Sequence, residues 1–227
     1  MCVFRLGLCA GVLLSLSLLC LPSYAQTGAF ADARDGKRYK SVKMPDGRTW
    51  MAENLNYKPS KGGSWCYGGK ESNCAKYGRL YDLETAEKAC PKGYRLPSWR
   101  EWESFADSAG LKGKPNDGNY SGTRWTGAGS LKSKVGWKGG GTDVFGFSAL
   151  PGGSRCGSRG IKEGDCGEWM GDVGRIGTWW ASCMGEDDCG GGSFEIEEDE
   201  ARLGSSMSNY GYEFGYSVRC VGGSGKP

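Results

Sequence analysis

The chain has 227 residues, with 29 Lys and Arg against 26 Asp and Glu, and no histidine. A net charge of +3 without any long run of like charges excludes the basic field of a nucleic-acid binder. Without histidine there is no Ser-His-Asp triad, no Cys-His dyad and no His-ligated metal.

The length suits one domain, and 41 glycines beside 12% aromatic residues describe a loop-rich fold with a core of its own. Residues 1–25 read as a cleavable secretory signal peptide. Arg5 supplies the positive start, Leu6 to Leu21 the apolar run, and Pro22 the break. Ser23-Tyr24-Ala25 places small residues at the cleavage site, so that Gln26 begins the mature chain. The apolar run is short for a membrane span of roughly 20 residues. The expectation is a secreted or cell-envelope protein with no transmembrane span after cleavage.

Residues 26–34 form a short lead-in to a domain over 35–221, and 222–227 a flexible tail. Lys37 to Met44 and Arg48 to Tyr57 flank Pro45-Asp46-Gly47, where Pro presets φ and Gly tolerates a positive one; this predicts an opening β-hairpin. Lys58 to Lys76 reads as a loop. Asp82 can cap a helix reaching about Cys90, with Leu83, Ala86 and Cys90 on one face. Ser98 and Glu101 form an S-x-x-E capping box for a second helix. Its stripe is Trp99, Trp102, Phe105, Ala106 and Ala109, and Gly110 is its stop. Beyond it, Lys112 to Lys134 is polar loop. Strands are expected over Val144 to Leu150, Thr178 to Ser182, Phe194 to Leu203 and Tyr212 to Val221. Hairpin, two helices, long loops and late strands, with first and last strands adjacent, make an α+β pattern.

Three cysteines leave with the leader and eight remain: Cys66, Cys74, Cys90, Cys156, Cys166, Cys183, Cys189 and Cys220. An even number in an exported chain reads as a disulfide framework. No two show the CxxC spacing of a zinc site. Sequence leaves the pairing open; short loops favour Cys66–Cys74, Cys156–Cys166 and Cys183–Cys189, and that choice leaves Cys90 with Cys220.

Several stretches occur in a familiar order. They are Asp35-Gly36-Lys37, Thr49-Trp50-Met51-Ala52-Glu53-Asn54-Leu55-Asn56-Tyr57, Asn73-Cys74-Ala75-Lys76-Tyr77-Gly78-Arg79-Leu80-Tyr81 and Ala89-Cys90-Pro91-Lys92-Gly93-Tyr94-Arg95-Leu96-Pro97-Ser98. Glu101-Trp102, Gly146-Phe147-Ser148-Ala149-Leu150-Pro151, Trp179-Trp180 and Tyr216-Ser217-Val218-Arg219-Cys220-Val221 follow. From about Asp35 to Val221 the chain resembles the Fibrobacter succinogenes major paralogous domain, a family of exported bacterial domains. The resemblance implies a C-type lectin-like fold, two helices packed on small antiparallel sheets with long loops, stapled by disulfides. In that fold Cys90–Cys220 matches the long bridge, and the loops between the second helix and the last strands form the ligand face.

Trp99, Trp102, Trp179 and Trp180 sit in periodic or strand contexts and are expected in the core. Tyr120, Trp125 and Trp169 lie in polar, Gly-rich segments and are candidates for stacking on sugar rings, with Arg124 and Arg155 reaching hydroxyls or carboxylates. Glu186-Asp187-Asp188 and Glu195 to Glu200 offer oxygen ligands for calcium. Without a calcium-loop motif they read as a solvated face, so no metal or cofactor is expected. Glu163, Asp165, Glu168 and Asp172 form a loop of carboxylates, and a glycosidase would need two of them held about 5–9.5 Å apart across a sugar. The leading expectation is a non-catalytic binding or adhesion module for carbohydrate or another extracellular polymer. The alternatives are a structural component that contacts extracellular protein, and a carboxylate hydrolase.

Overall fold

A computed structural model describes residues 26–114, 123–158, 169–182, 191–205 and 212–223. The expected leader lies outside them, as do residues 224–227 of the expected tail, whose Gly222 falls in a strand. Among the described residues no helix is long and apolar enough to cross a membrane.

The opening hairpin forms as its turn residues dictate, with one strand more than expected. The lead-in supplies β1 (Gln26–Ala31), which pairs along its length with β2 (Arg38–Lys43), and β2 turns into β3 (Thr49–Met51). Asp46 locks that turn: its carboxylate accepts the Arg48 backbone N–H at 2.8 Å and the Trp50 indole N–H at 3.0 Å. β4 (Ser64–Trp65) leads to α1 (Glu71–Tyr77), a helix inside the segment expected as loop. β5 (Leu80–Tyr81) precedes α2 (Leu83–Ala89), whose cap is Asp82 accepting the Thr85 N–H at 2.8 Å.

β6 (Tyr94–Arg95) leads to α3 (Trp99–Ser108), which starts on the complete Ser98–Glu101 capping box. Gly110 at φ 74 follows it, a left-handed position that an L side chain rarely adopts. There are thus three α-helices among the described residues, not two.

The remaining strands are β7 (Lys112–Lys114), β8 (Arg124–Thr126), β9 (Ser154–Ser158), β10 (Trp169–Gly171), β11 (Ile176–Ala181), β12 (Gly192–Glu197), β13 (Glu200–Ser205), β14 (Tyr212–Ser217) and β15 (Val221–Gly222). Val144 to Leu150 is not a strand. Asp143 and Ser148 have φ of 48 and 52, and the Asp143 carboxylate accepts the Ser148 N–H at 2.7 Å, so the chain coils instead of extending. Phe194 to Leu203 folds back on itself as the β12–β13 hairpin, and Tyr212 to Val221 is interrupted at 218–220.

β1-β2-β3-β15-β6 form a five-stranded antiparallel sheet, so the first hairpin and the last strand are neighbours as expected. The larger sheet runs β10-β9-β14-β11-β12-β13-β8-β7, with β5 attached to β14 and β4 to β5. Its β11–β14 contact is parallel; its other pairings are antiparallel. The architecture is mixed α+β, dominated by sheet.

Side chains alternate across a strand, and on β11 both faces are dry. Trp179 enters a core with Trp50, Trp102, Phe105, Phe147 and Phe194; Trp180 enters another with Met51, Leu55, Tyr81 and Leu96. Trp102 stacks on Phe194 with ring centroids 4.4 Å apart. Cys66–Cys74 and Cys90–Cys220 are disulfides. Cys156 is disulfide-bonded as well, while Cys166, Cys183 and Cys189 lie outside the described residues.

Candidate functional site

Polar stitching joins three segments of chain: the loop over 127–142, the turn over 172–175 and the Glu198-Asp199 tip of the β12–β13 hairpin. The Asp199 carbonyl accepts the N–H groups of Gly127 and Ala128, and its carboxylate accepts that of Gly129 at 2.9 Å. The Lys138 N–H donates to the Gly174 carbonyl at 2.8 Å. Gly141 presses against the same loop. A Cβ there would sit 2.4 Å and 2.6 Å from the carbonyl oxygens of Lys132 and Ser133, so only glycine fits. Between the segments opens a cleft of about 750 Å³, with Lys132, Trp137, Lys138, Arg175, Glu198 and Asp199 on its walls.

Lys132 is the internal post of this cleft. Its Nζ donates to the Glu198 carbonyl at 2.8 Å and lies 4.5 Å from the Trp137 ring centroid. Burial lowers its pKa from the usual lysine range, while Asp199 and Glu198 pull it back up. The Trp137 indole N–H donates to the Ala149 carbonyl at 2.7 Å. Glu198 has φ of 49, in the left-handed region that glycine and asparagine favour. The lysine–carbonyl bond therefore fixes a strained tip at the cleft's rim. Lys138, Arg175, Glu198 and Asp199 are exposed. The cleft thus offers cationic donors, carboxylate acceptors and glycine backbone, over a floor whose indole face is already covered by an ammonium.

Of the five residues expected at a ligand face, the three whose side chains are described, Arg124, Trp125 and Arg155, do not share one site. Trp125 is a correction: it is 1% exposed. β8 sits between β13 and β7, placing Trp125 opposite Ala201 and Gly113, two small residues that leave room for the ring. Its indole N–H ends on Asp107 at 2.7 Å. Arg124, one residue before it on β8, faces solvent. Arg155 on β9 holds its guanidinium 4.1 Å above the Trp65 ring centroid, in a different cleft. Tyr120 lies outside the described residues, as does the side chain of Trp169.

On the acidic stretch expected as a solvated face, Arg202 lies 3.6 Å from the Glu195 carboxylate and 2.6 Å from that of Glu197, while Glu198 and Asp199 are exposed. Glu163, Asp165, Glu168 and Glu186-Asp187-Asp188 lie outside the described residues. Cys66, Glu71 and Cys74 hold ligand-type atoms within 4.8 Å of one another. Metal binding needs thiolates, and these two sulfurs are bonded to each other.

A protein-family model described as the Fibrobacter succinogenes major domain matches residues 45–222. The chain belongs to that family. No curated protein and no solved structure matches it.

In this Fibrobacter succinogenes major domain, the stretches that carry the family resemblance converge on a buried knot. Asn54 donates from Nδ2 to the Tyr77 carbonyl at 2.8 Å and to Ser217 at 3.2 Å; its Oδ1 accepts from the Trp179 indole at 2.8 Å and from Arg219 Nε at 2.7 Å. Every hydrogen-bonding position of that amide is filled. The Arg219 guanidinium, 0% exposed, also donates to the carbonyls of Met51, Phe147 and Ser148. Those motifs build the major domain's interior. Its cleft walls come largely from 127–142, 174–175 and 198–199, mostly outside the motifs.

Proposed function

We propose that the chain is an exported, non-catalytic binding module of the cell surface or surroundings, which holds a polyhydroxylated polymer in the Lys132–Trp137 cleft. The observation that carries this reading is the mixed lining: exposed ammonium and guanidinium donors face carboxylate acceptors across a cleft of polymer-binding size. A polysaccharide presents donors and acceptors in the same alternation, and polar groups convergent in a concavity are the usual mark of such a site. The capped face of Trp137 means that hydrogen bonds, more than ring stacking, do the recognising. The complete lack of histidine weighs against a catalytic role. We read the fold as C-type lectin-like; the Cys90–Cys220 bridge and the ligand cleft built on loops after α3 support that reading.

The test is a glycan array with insoluble-polysaccharide pull-down, using the mature protein and a Lys138→Ala/Arg175→Ala double variant. Both side chains are exposed, so the fold should survive. Wild-type binding to one or more neutral polysaccharides is expected, weakened about tenfold or more in the variant. A wild type that retains no glycan at high concentration, yet cross-links to envelope proteins, would replace this reading with a structural one.

A further inference from the structure

A second cleft, of about 490 Å³, lies between β4, the start of α1, β5 and β9, and is lined by Ser64, Trp65, Cys66, Glu71, Arg79 and Arg155. Two guanidinium groups reach it. The Arg155 guanidinium carbon lies 4.1 Å from the Trp65 ring centroid, and its Nη1 is shut off from solvent with no hydrogen-bond partner. Arg79 has a side chain only 6% exposed. Its contacts run long: Nε to Ser64 Oγ at 3.3 Å, Nη2 to the Ser64 carbonyl at 3.4 Å and Nη1 to Cys66 Sγ at 3.5 Å. The carboxylate that accompanies it is Glu71, 3.6 Å away and itself 76% exposed. Buried guanidinium groups are normally matched by close, charge-assisted partners. Here Arg79 has one distant, exposed carboxylate, and no carboxylate pairs with Arg155 among the described residues.

We propose that this cleft is a carboxylate-binding site, taking the acid group of a uronic-acid saccharide. The planar donor fork of Arg matches a carboxylate in bidentate fashion. The Trp65 ring supports the Arg155 fork through the cation–π contact, and Glu71 swings into solvent as the incoming carboxylate takes its place beside Arg79. The choice of a saccharide rests on the polymer-binding reading; the carboxylate chemistry stands on the two arginines alone.

The experiment titrates the disulfide-bonded protein with trigalacturonate, with a neutral galactose trisaccharide and with glutarate, followed by calorimetry and tryptophan fluorescence. Trigalacturonate should bind, any binding of the neutral sugar should be indifferent to Arg155→Gln, and glutarate should bind more weakly than the uronate. Arg155→Gln should weaken binding about 10- to 100-fold. Glu71→Gln, at an exposed position that cannot endanger the fold, should tighten it about two- to fivefold by removing the internal competitor. Lys138→Ala/Arg175→Ala should leave it unchanged, which separates this site from the loop cleft. No uronate binding in wild type and Glu71→Gln alike, or binding indifferent to Arg155→Gln, would overturn the site. Glutarate bound as tightly as trigalacturonate would overturn its assignment to a saccharide.

Discussion

Arg219 shows how one residue can decide more than its neighbours. It is a buried cation whose hydrogen bonds all go to neutral oxygens, the amide of Asn54 and three backbone carbonyls. Burial lowers its pKa to about 9, with Glu53 and Asp143 opposing, so the group remains protonated at neutral pH. It stands in the interruption at 218–220 between β14 and β15, where the carbonyls of Val218 and Cys220 accept the N–H groups of Leu55 and Met51. Removing it leaves several acceptors dry and unpaired. Arg219→Met should lower stability by about 3–5 kcal/mol, read as a shift in the urea midpoint, and Asn54→Leu should cost nearly as much. Combined, the two should cost far less than their sum, because each breaks the same knot. The tryptophans follow a similar logic. Indole N–H groups of Trp50, Trp99, Trp102, Trp125, Trp137, Trp179 and Trp180 each end on a protein acceptor. An unusual number of indoles is here a way of building a core in which polar groups are satisfied, and that is why composition alone pointed Trp125 toward a ligand.

Elements were legible wherever a local chemical device specifies them. Asp82 and the Ser98–Glu101 box start helices because side-chain oxygens answer backbone N–H groups within three residues, a signal contained in the sequence. α1 has no such device. Lys70 precedes it without a side-chain cap, and the helix is held by the Cys66–Cys74 bridge and its packing. The main cleft was invisible for a related reason: its walls come from separate segments, many of them glycine, brought together by backbone hydrogen bonds that no spacing records. The α3 cap also carries a pH dependence. Burial alone would raise the Glu101 pKa, but the Arg95 fork, the Ser98 N–H and the charge of Arg48 outweigh it, leaving it below the usual 4.5. Hydrogen bonds from Arg34 likewise lower Asp32, against some desolvation. In both cases the unfolded chain takes up protons first on acidification. Their stabilisation is therefore complete above the ordinary carboxylate range and lost as pH falls through it. Glu195, raised by burial, opposes with the reverse sign. The thermal midpoint should be level near neutrality and drop below about pH 4.5. Glu101→Gln keeps a capping-box residue yet loses the charge. It should be less stable by about 1–2 kcal/mol at neutral pH, with a shallower acid limb; an unchanged limb would assign the acid sensitivity elsewhere.

At the scale of the molecule, β11 divides the interior into two cores, and each side is closed by chain that ends far from where it began. Cys90, just after α2, is tied to Cys220, between β14 and β15, across 130 residues; Cys66–Cys74 spans only 8. The entropy that a bridge removes from the unfolded chain grows with the logarithm of the loop it closes. The two should thus differ about twofold: about 5 kcal/mol for the long bridge and about 2.5 for the short one. Set against a total of about 5–15 kcal/mol for an ordinary domain, Cys90→Ser/Cys220→Ser should be near the unfolding threshold at room temperature. Cys66→Ser/Cys74→Ser should stay folded with a lowered urea midpoint. The short bridge has local work instead: it fixes the start of α1 beside Arg79, so its loss should loosen the Arg155 cleft more than the fold. Equal destabilisation by the two double variants, at matched m-values, would mean that the bridges act by holding native contacts and not by restricting the unfolded chain.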